Sequence, residues 1–318
     1  MIPKVELHLH LEGAAPPAFV RGLAAEQSVD LTGVFDRAGG YAFDGFERFL
    51  RVYEAATQVL RTPDHFARLT TAVLEQSARS GVVYAEVFLS PDFCGGGDLA
   101  AWRDYLAAIE AGAAAMPEVE MRGIVTCIRH AGPEAAKAAA RCAAETAGPF
   151  VTGFGMGGDE RLGRATDFAW AFDCAREAGL GLTCHAGEFG GPDSVRDALR
   201  LGVSRLGHGV RAIEDPALVD RLAEDGVVLE TCPGSNVRLG LYPDVASHPI
   251  ARLRARGAKV TVSTDDPPFF GTTMVAEYDA LAAAFDWDEE VFAEINATAL
   301  DAAFCDAATK DRIRERLG

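Results

Sequence analysis

The stretch "KVELHLHLEG", residues 4–13, alternates apolar side chains with Glu6, His8 and His10. Residues two apart on a strand share a face, so the spacing predicts a strand over 5–10 with both imidazoles on one side. Seven further segments rich in Val, Ile, Leu or aromatics read the same way. They are "VVYAEVFL" (82–89), "MRGIVTCI" (121–128), "FVTGFGM" (150–156), "LGLTCHA" (180–186), "SRLGHG" (204–209), "GVVLETC" (226–232) and "KVTVSTD" (259–265). Between them run amphipathic, Ala-rich stretches such as "TDFAWAFDCAREAG" (166–179) and "DPALVDRLAEDG" (215–226), each ending on the glycine expected at a helix C-cap. Strand and helix alternating eight times predict an α/β fold, a (β/α)8 TIM barrel. No composition shift, Pro/Ser-rich linker or short repeat divides the chain, so a single barrel domain over 1–318 is expected.

The formal net charge of −17 argues against a nucleic-acid backbone or an anionic membrane surface as partner. Seven dispersed cysteines without CxxC spacing read as reduced thiols of a cytoplasmic protein. The first residues carry charges and histidines where a signal peptide would be apolar. No apolar run approaches the roughly 20 residues that span a bilayer. A soluble, cytoplasmic protein is expected.

The first connection is long, about 70 residues where a βα unit needs far fewer. Within it, "FDGFERFLRVYEAATQVL" (43–60) sets Phe46, Phe49, Leu50 and Tyr53 at helical spacing. One reading is a core stripe on an extra helix. The other is a lid of extra helices over the barrel mouth, where barrel active sites are built. Both can hold at once.

Polar residues collect at the strand ends. His8 and His10 end the first strand, His185 the fifth, His208 the sixth, and Asp265 and Asp266 the eighth, with Glu188 following in "HAGE". C-terminal strand ends meet at one face of a barrel, so these residues become neighbours. Imidazoles with a carboxylate suit a zinc ion, and His8, His10, His185 and Asp265 would supply the set, one ion per chain. Such an ion lowers the pKa of bound water from 15.7 towards roughly 7. Glu188 and His208 remain for proton transfer, and Asp266 for substrate. His65 and His248 read as structural, and His130, at the end of the third strand, as a supporting or loop residue.

"VELHLHLEGA", "HAGE", "SRLGHGV", "LETCPGSN" and "STDDPPFFGT" resemble, in order and spacing, the adenosine deaminase branch of the metal-dependent amidohydrolases. The resemblance runs from residue 4 to about Tyr278. It implies the barrel fold, zinc on His8, His10, His185 and Asp265, and a small-molecule purine nucleoside or base as partner. Glu188 would protonate purine N1. His208 would orient the water, accept its proton and stabilise the attacking hydroxide. Asp266 would meet N7, and the backbone N–H of Gly158 would meet N3. His10, Glu12 and the lid residues Phe46, Phe49 and Leu50 would complete the substrate site. The enzyme implied is a zinc hydrolase of purine metabolism that breaks the C6–N bond and releases ammonia.

Other amidohydrolases bridge two metals with a carboxylated lysine ending the fourth strand, but "FVTGFGMGGDE" contains none. A silent barrel that binds a nucleoside or metal without turnover would have lost a ligand or the proton donor, and none is missing. Two segments bear on the substrate. Adenosine enzymes often carry Asp where this chain has Glu12, whereas adenine enzymes read "HLEG", as here. "GGDE" (157–160) instead resembles the adenosine enzymes. The expected substrates are adenosine and 2′-deoxyadenosine, giving inosine and 2′-deoxyinosine, with adenine or another 6-aminopurine as the alternative.

Overall fold

The computed structural model describes residues 2–318. Eight strands run in the order of the chain: β1 (Lys4–His10), β2 (Val82–Leu89), β3 (Glu120–Ile128), β4 (Val151–Gly157), β5 (Gly181–Ala186), β6 (Arg205–His208), β7 (Val228–Thr231) and β8 (Lys259–Val262). Each is parallel to the next. The ring closes past the end of β8, where the N–H of His10 donates to the Asp265 carbonyl at 3.0 Å and the N–H of Asp265 to that of His8 at 3.1 Å. The architecture is the expected (β/α)8 barrel with helices outside.

All eight segments form strands, but the last three are shorter than their composition predicts. The eighth was expected over 259–265 and stops at Val262. Asp265, past the end of β8, and His208, the last residue of β6, have φ of 66° and 60°, in the left-handed region outside the usual strand range. The chain turns sharply there and swings both side chains inward. His130 likewise lies past its strand, in a single helical turn, Arg129–Ala131.

Three helices occupy the long first connection: α1 (Pro17–Gln27), α2 (Phe46–Thr57) and α3 (Pro63–Arg79). Thr62 caps α3 by accepting from the N–H of His65 at 3.3 Å, and the His65 ring accepts from the N–H of Arg61, which fits its structural reading. On α2, Phe49 and Val52 are buried while Phe46 and Leu50 are half-buried.

Charge crosses the barrel interior beneath the histidines. Arg205 on β6 pairs with Glu86 on β2 and with Glu230 on β7, each at 2.6 Å, and all three are fully buried. The guanidinium stacks 3.6 Å from the Phe304 ring centroid, and the Tyr84 hydroxyl donates to Glu86 at 2.8 Å. One cation between two carboxylates leaves a net negative charge that must be met from above. Glu230 meets it by accepting from His8 Nδ1 at 2.8 Å. Among the described residues no helix is long and apolar enough to cross a membrane.

Candidate active site

Glu230 fixes His8: with Nδ1–H held by the carboxylate, the ring presents a bare Nε2 to the barrel mouth. That nitrogen is buried and has no hydrogen-bond partner. Nε2 of His10 and Nε2 of His185 face each other at 3.2 Å, and Asp265 Oδ1 lies 3.3 Å from the former and 3.5 Å from His8 Nε2. One donor atom from each of His8, His10, His185 and Asp265 falls within 4.8 Å of the others. Three imidazole nitrogens and a carboxylate oxygen aimed at one point, one of them otherwise orphaned, fit a metal ion of the tetrahedral N/O type. Gly207 makes the convergence possible, since a Cβ there would come within 3.0 Å of both His8 and His185.

Around this point sit the remaining expected residues. His208 Nε2 is 3.7 Å from Glu188 and 3.9 Å from Asp265. Ser235 donates to Asp265 Oδ2 at 2.7 Å, and Asn236 reaches His208 at 3.3 Å and Glu188 at 3.5 Å. Both come from the short helix Pro233–Arg238 that follows β7. Burial, with the nearby Asp265 and Glu160 charges, holds the Glu188 carboxyl well above its usual range, and Asp266 is raised for the same kind of reason. Burial pushes the His208 ring down to about 4, so it is neutral. Two carboxylic acids and a neutral imidazole thus stand beside the metal point, the pattern of an acid–base site.

These groups line a cavity of about 310 Å³. One wall is polar, with Glu12, Glu188, Asp265 and Asp266, and the other is apolar, with Phe46, Phe49, Leu50, Phe93 and Phe270. The helix α2 therefore serves both: Phe49 is buried in the core and also lines the cavity, beside the half-buried Phe46 and Leu50. Phe46 packs on Phe189, at 4.3 Å between centroids, and so touches the loop that bears Glu188. Gly158 reaches the cavity with φ of 95°, where a Cβ would lie 2.8 Å from His130 Nδ1. Glu12 is buried, its Oε1 has no partner, and burial lifts its carboxyl to about 8.

Several residues that shape the site were not singled out in the sequence. Glu160 accepts from the N–H groups of Gly187, Glu188, Phe189 and Gly190 at 2.6–3.0 Å, and also bonds Ser194. It clamps the loop that carries Glu188. Asp159 is engaged by Arg161 at 2.8 Å. The carboxylates of "GGDE" therefore serve the scaffold and do not face the cavity, which removes the weight that segment gave to a nucleoside. Arg129 donates to the His185 carbonyl at 2.6 Å. Acidic and basic residues inside otherwise apolar strands, Glu86 in "VVYAEVFL" and Arg205 in "SRLGHG", were a signal for the buried charges below His8, while Glu160, Asp159 and Arg129 lie past their strands and had none.

The adenosine deaminase family profile matches residues 3–318. An adenine deaminase of Agrobacterium fabrum is 48% identical over 320 residues, covering 99% of this chain and 98% of that protein. An adenine deaminase of Chelativorans sp. is also 48% identical, over 100% and 98%. Among solved structures, adenine deaminase from Arthrobacter aurescens superposes with a TM-score of 0.87 at 28% identity, covering 100% of this chain and 98% of that one. An amidohydrolase from Burkholderia ambifaria, solved with bound Zn, gives 0.89 at 28% identity, covering 99% and 89%. These relatives favour the adenine alternative over the adenosine expectation. With the profile spanning the barrel and its converging ligands, the chain belongs to the adenosine deaminase family.

Proposed function

We propose that this protein hydrolyses free adenine to hypoxanthine and ammonia, using a single zinc ion held by His8, His10, His185 and Asp265. The observation that carries the choice of base over nucleoside is Glu12, a buried carboxyl on the cavity wall with an unpartnered oxygen. A free base has an N–H where a nucleoside has its sugar, and the C=O oxygen of the Glu12 carboxyl can accept from it. A buried acceptor left unpaired costs about 1–3 kcal/mol, so the site gains most from the ligand that fills it. The names of the near relatives point the same way.

When bound, the ion would lower the pKa of a water ligand so that hydroxide is available near neutral pH. The chain's own residues supply the rest. Glu188, whose carboxyl burial holds well above its usual range, gives its proton to N1 and so makes C6 electrophilic. Asp266, whose carboxyl is also raised, donates to N7. The N–H of Gly158 meets N3. His208, beside both Glu188 and Asp265, orients the nucleophile's oxygen and stabilises its charge. Water adds at C6 as one of its protons passes to Asp265; that proton goes on to the amino nitrogen, the C6–N bond breaks, ammonia leaves, and the C6 hydroxyl proton returns to Glu188.

The test is ammonia release from adenine, adenosine, 2′-deoxyadenosine and 6-aminodeoxyfutalosine by the zinc-loaded protein. The expected kcat/KM for adenine exceeds that for adenosine by about 100-fold. Equal or better turnover of adenosine would overturn the assignment. Glu12→Leu should lower kcat/KM for adenine about 10- to 100-fold with metal content unchanged. An unaltered adenine rate would remove Glu12 from the site. Phe46→Ala, at a half-buried position, should raise KM about 10-fold with little loss of thermal stability. A lower Tm with unchanged KM would leave only its packing role.

A further inference from the structure

A line of buried groups leads from the backbone to His208. Ile250 opens the helix Ile250–Ala255, where a first-turn N–H has no carbonyl within the helix to bond. It donates to His248 Nδ1 at 3.3 Å. A backbone N–H can only donate, so Nδ1 of His248 is bare and the proton of this neutral ring sits on Nε2. That proton faces Asn236 Oδ1 at 3.1 Å. The amide is thereby oriented, with Nδ2 towards His208 Nδ1. Turning the amide over would set its NH2 against His248 Nε2, force the His248 proton onto Nδ1, and leave donor facing donor at Ile250.

His208, Asn236 and His248 are each at most 1% exposed, so solvent offers no substitute partner. His248 precedes Pro249 and takes φ −63° and ψ 136°, the extended conformation a following proline favours. Burial lowers the His248 ring to about 3 and keeps it neutral.

We propose that His248 and Asn236 are positioning residues that hold His208 as the Nε2–H tautomer, so that His208 enters the reaction as a hydrogen-bond donor to the reacting oxygen and not as acceptor of the water proton. Nδ1 of His208 is occupied as an acceptor, and the proton lies on the nitrogen that faces Glu188 and Asp265. This revises the proton-accepting role that family resemblance implies for His208. It rests on the adenine-deamination reading for the step in which His208 acts, while the tautomer is a property of the protein without substrate.

Long-range 1H–15N correlation on histidine-labelled, zinc-loaded protein reads the tautomer directly. The expected His208 pattern is a protonated Nε2 with a lone pair on Nδ1. Asn236→Asp, nearly the same shape but acceptor-only, should reverse that pattern to Nδ1–H. His248→Ala should lower kcat about 10-fold with KM and zinc content unchanged, and His248→Gln should restore much of it. A wild-type His208 protonated on Nδ1 overturns the proposal, as does a folded His248→Ala enzyme with normal kcat. The wild-type spectrum decides even where a variant does not fold. Failure to turn over adenine, with the tautomer as expected, would count against the substrate alone.

Discussion

Glu188→Gln is expected to lower kcat about 10²- to 10⁴-fold while zinc content and folding stay at wild-type levels. Glutamine keeps the shape and still fits beside Asn236, 3.5 Å away, but it has no proton to give N1. The metal donors lie on other residues, so the ion should be retained. Without the proton, the purine must accept hydroxide with the negative charge left on its ring. The pH profile follows from the raised carboxyl: the acid form is present below that pKa and activity falls as pH rises through it. In Glu188→Gln that alkaline limb should vanish along with the rate. Turnover near wild-type in the substituted enzyme would dismiss Glu188 as the acid.

Arg205→Met should destabilise the fold by about 3–5 kcal/mol, because it strands two carboxylates that are wholly buried. Methionine preserves much of the apolar stem but loses the guanidinium, with its ion pairs and its place over Phe304, so most of the loss is electrostatic. The site should also suffer. Glu230, no longer neutralised from below, is the group that fixes His8, and metal affinity should fall about 10- to 100-fold. Urea unfolding of the metal-free protein measures the first effect and competition with a chelator the second. A change below about 1 kcal/mol would show that the buried charges tolerate separation.

The strand pattern was legible because barrel strands buried on both faces are continuous Val/Leu/Ile runs, and their period needs no long-range information. The converging ligands were legible for a related reason. Packing alone rarely sets an imidazole or a carboxylate at the end of an apolar run, and His8, His10, His185 and Asp265 all stand at such an end. What failed lay where backbone geometry overrides composition. "KVTVSTD" reads as strand to its end, yet Asp265 turns left-handed after Val262. "GGDE" resembles the adenosine enzymes, yet Glu160 spends its oxygens on four backbone N–H groups of the loop that carries Glu188. His248 reads as structural, and its link to Asn236 is invisible in the sequence because that partner comes from a separate helix and no spacing joins them. Pairwise partners across the fold are the information a single chain pattern lacks.

The closure of the ring has a consequence for how the protein comes into being. Asp265 is at once the residue that ties the last strand to the first and a donor to the metal point. Its partners His8 and His10 precede it by more than 250 residues and stay half of a site until the eighth strand has followed. Such distant pairing is slow, because the entropy of closing so long a loop is lost before any contact compensates it. A metal ion bound at that seam would therefore report a finished barrel, and its removal should first show as faster amide exchange at His10 and Asp265, where the first and last strands of the ring meet.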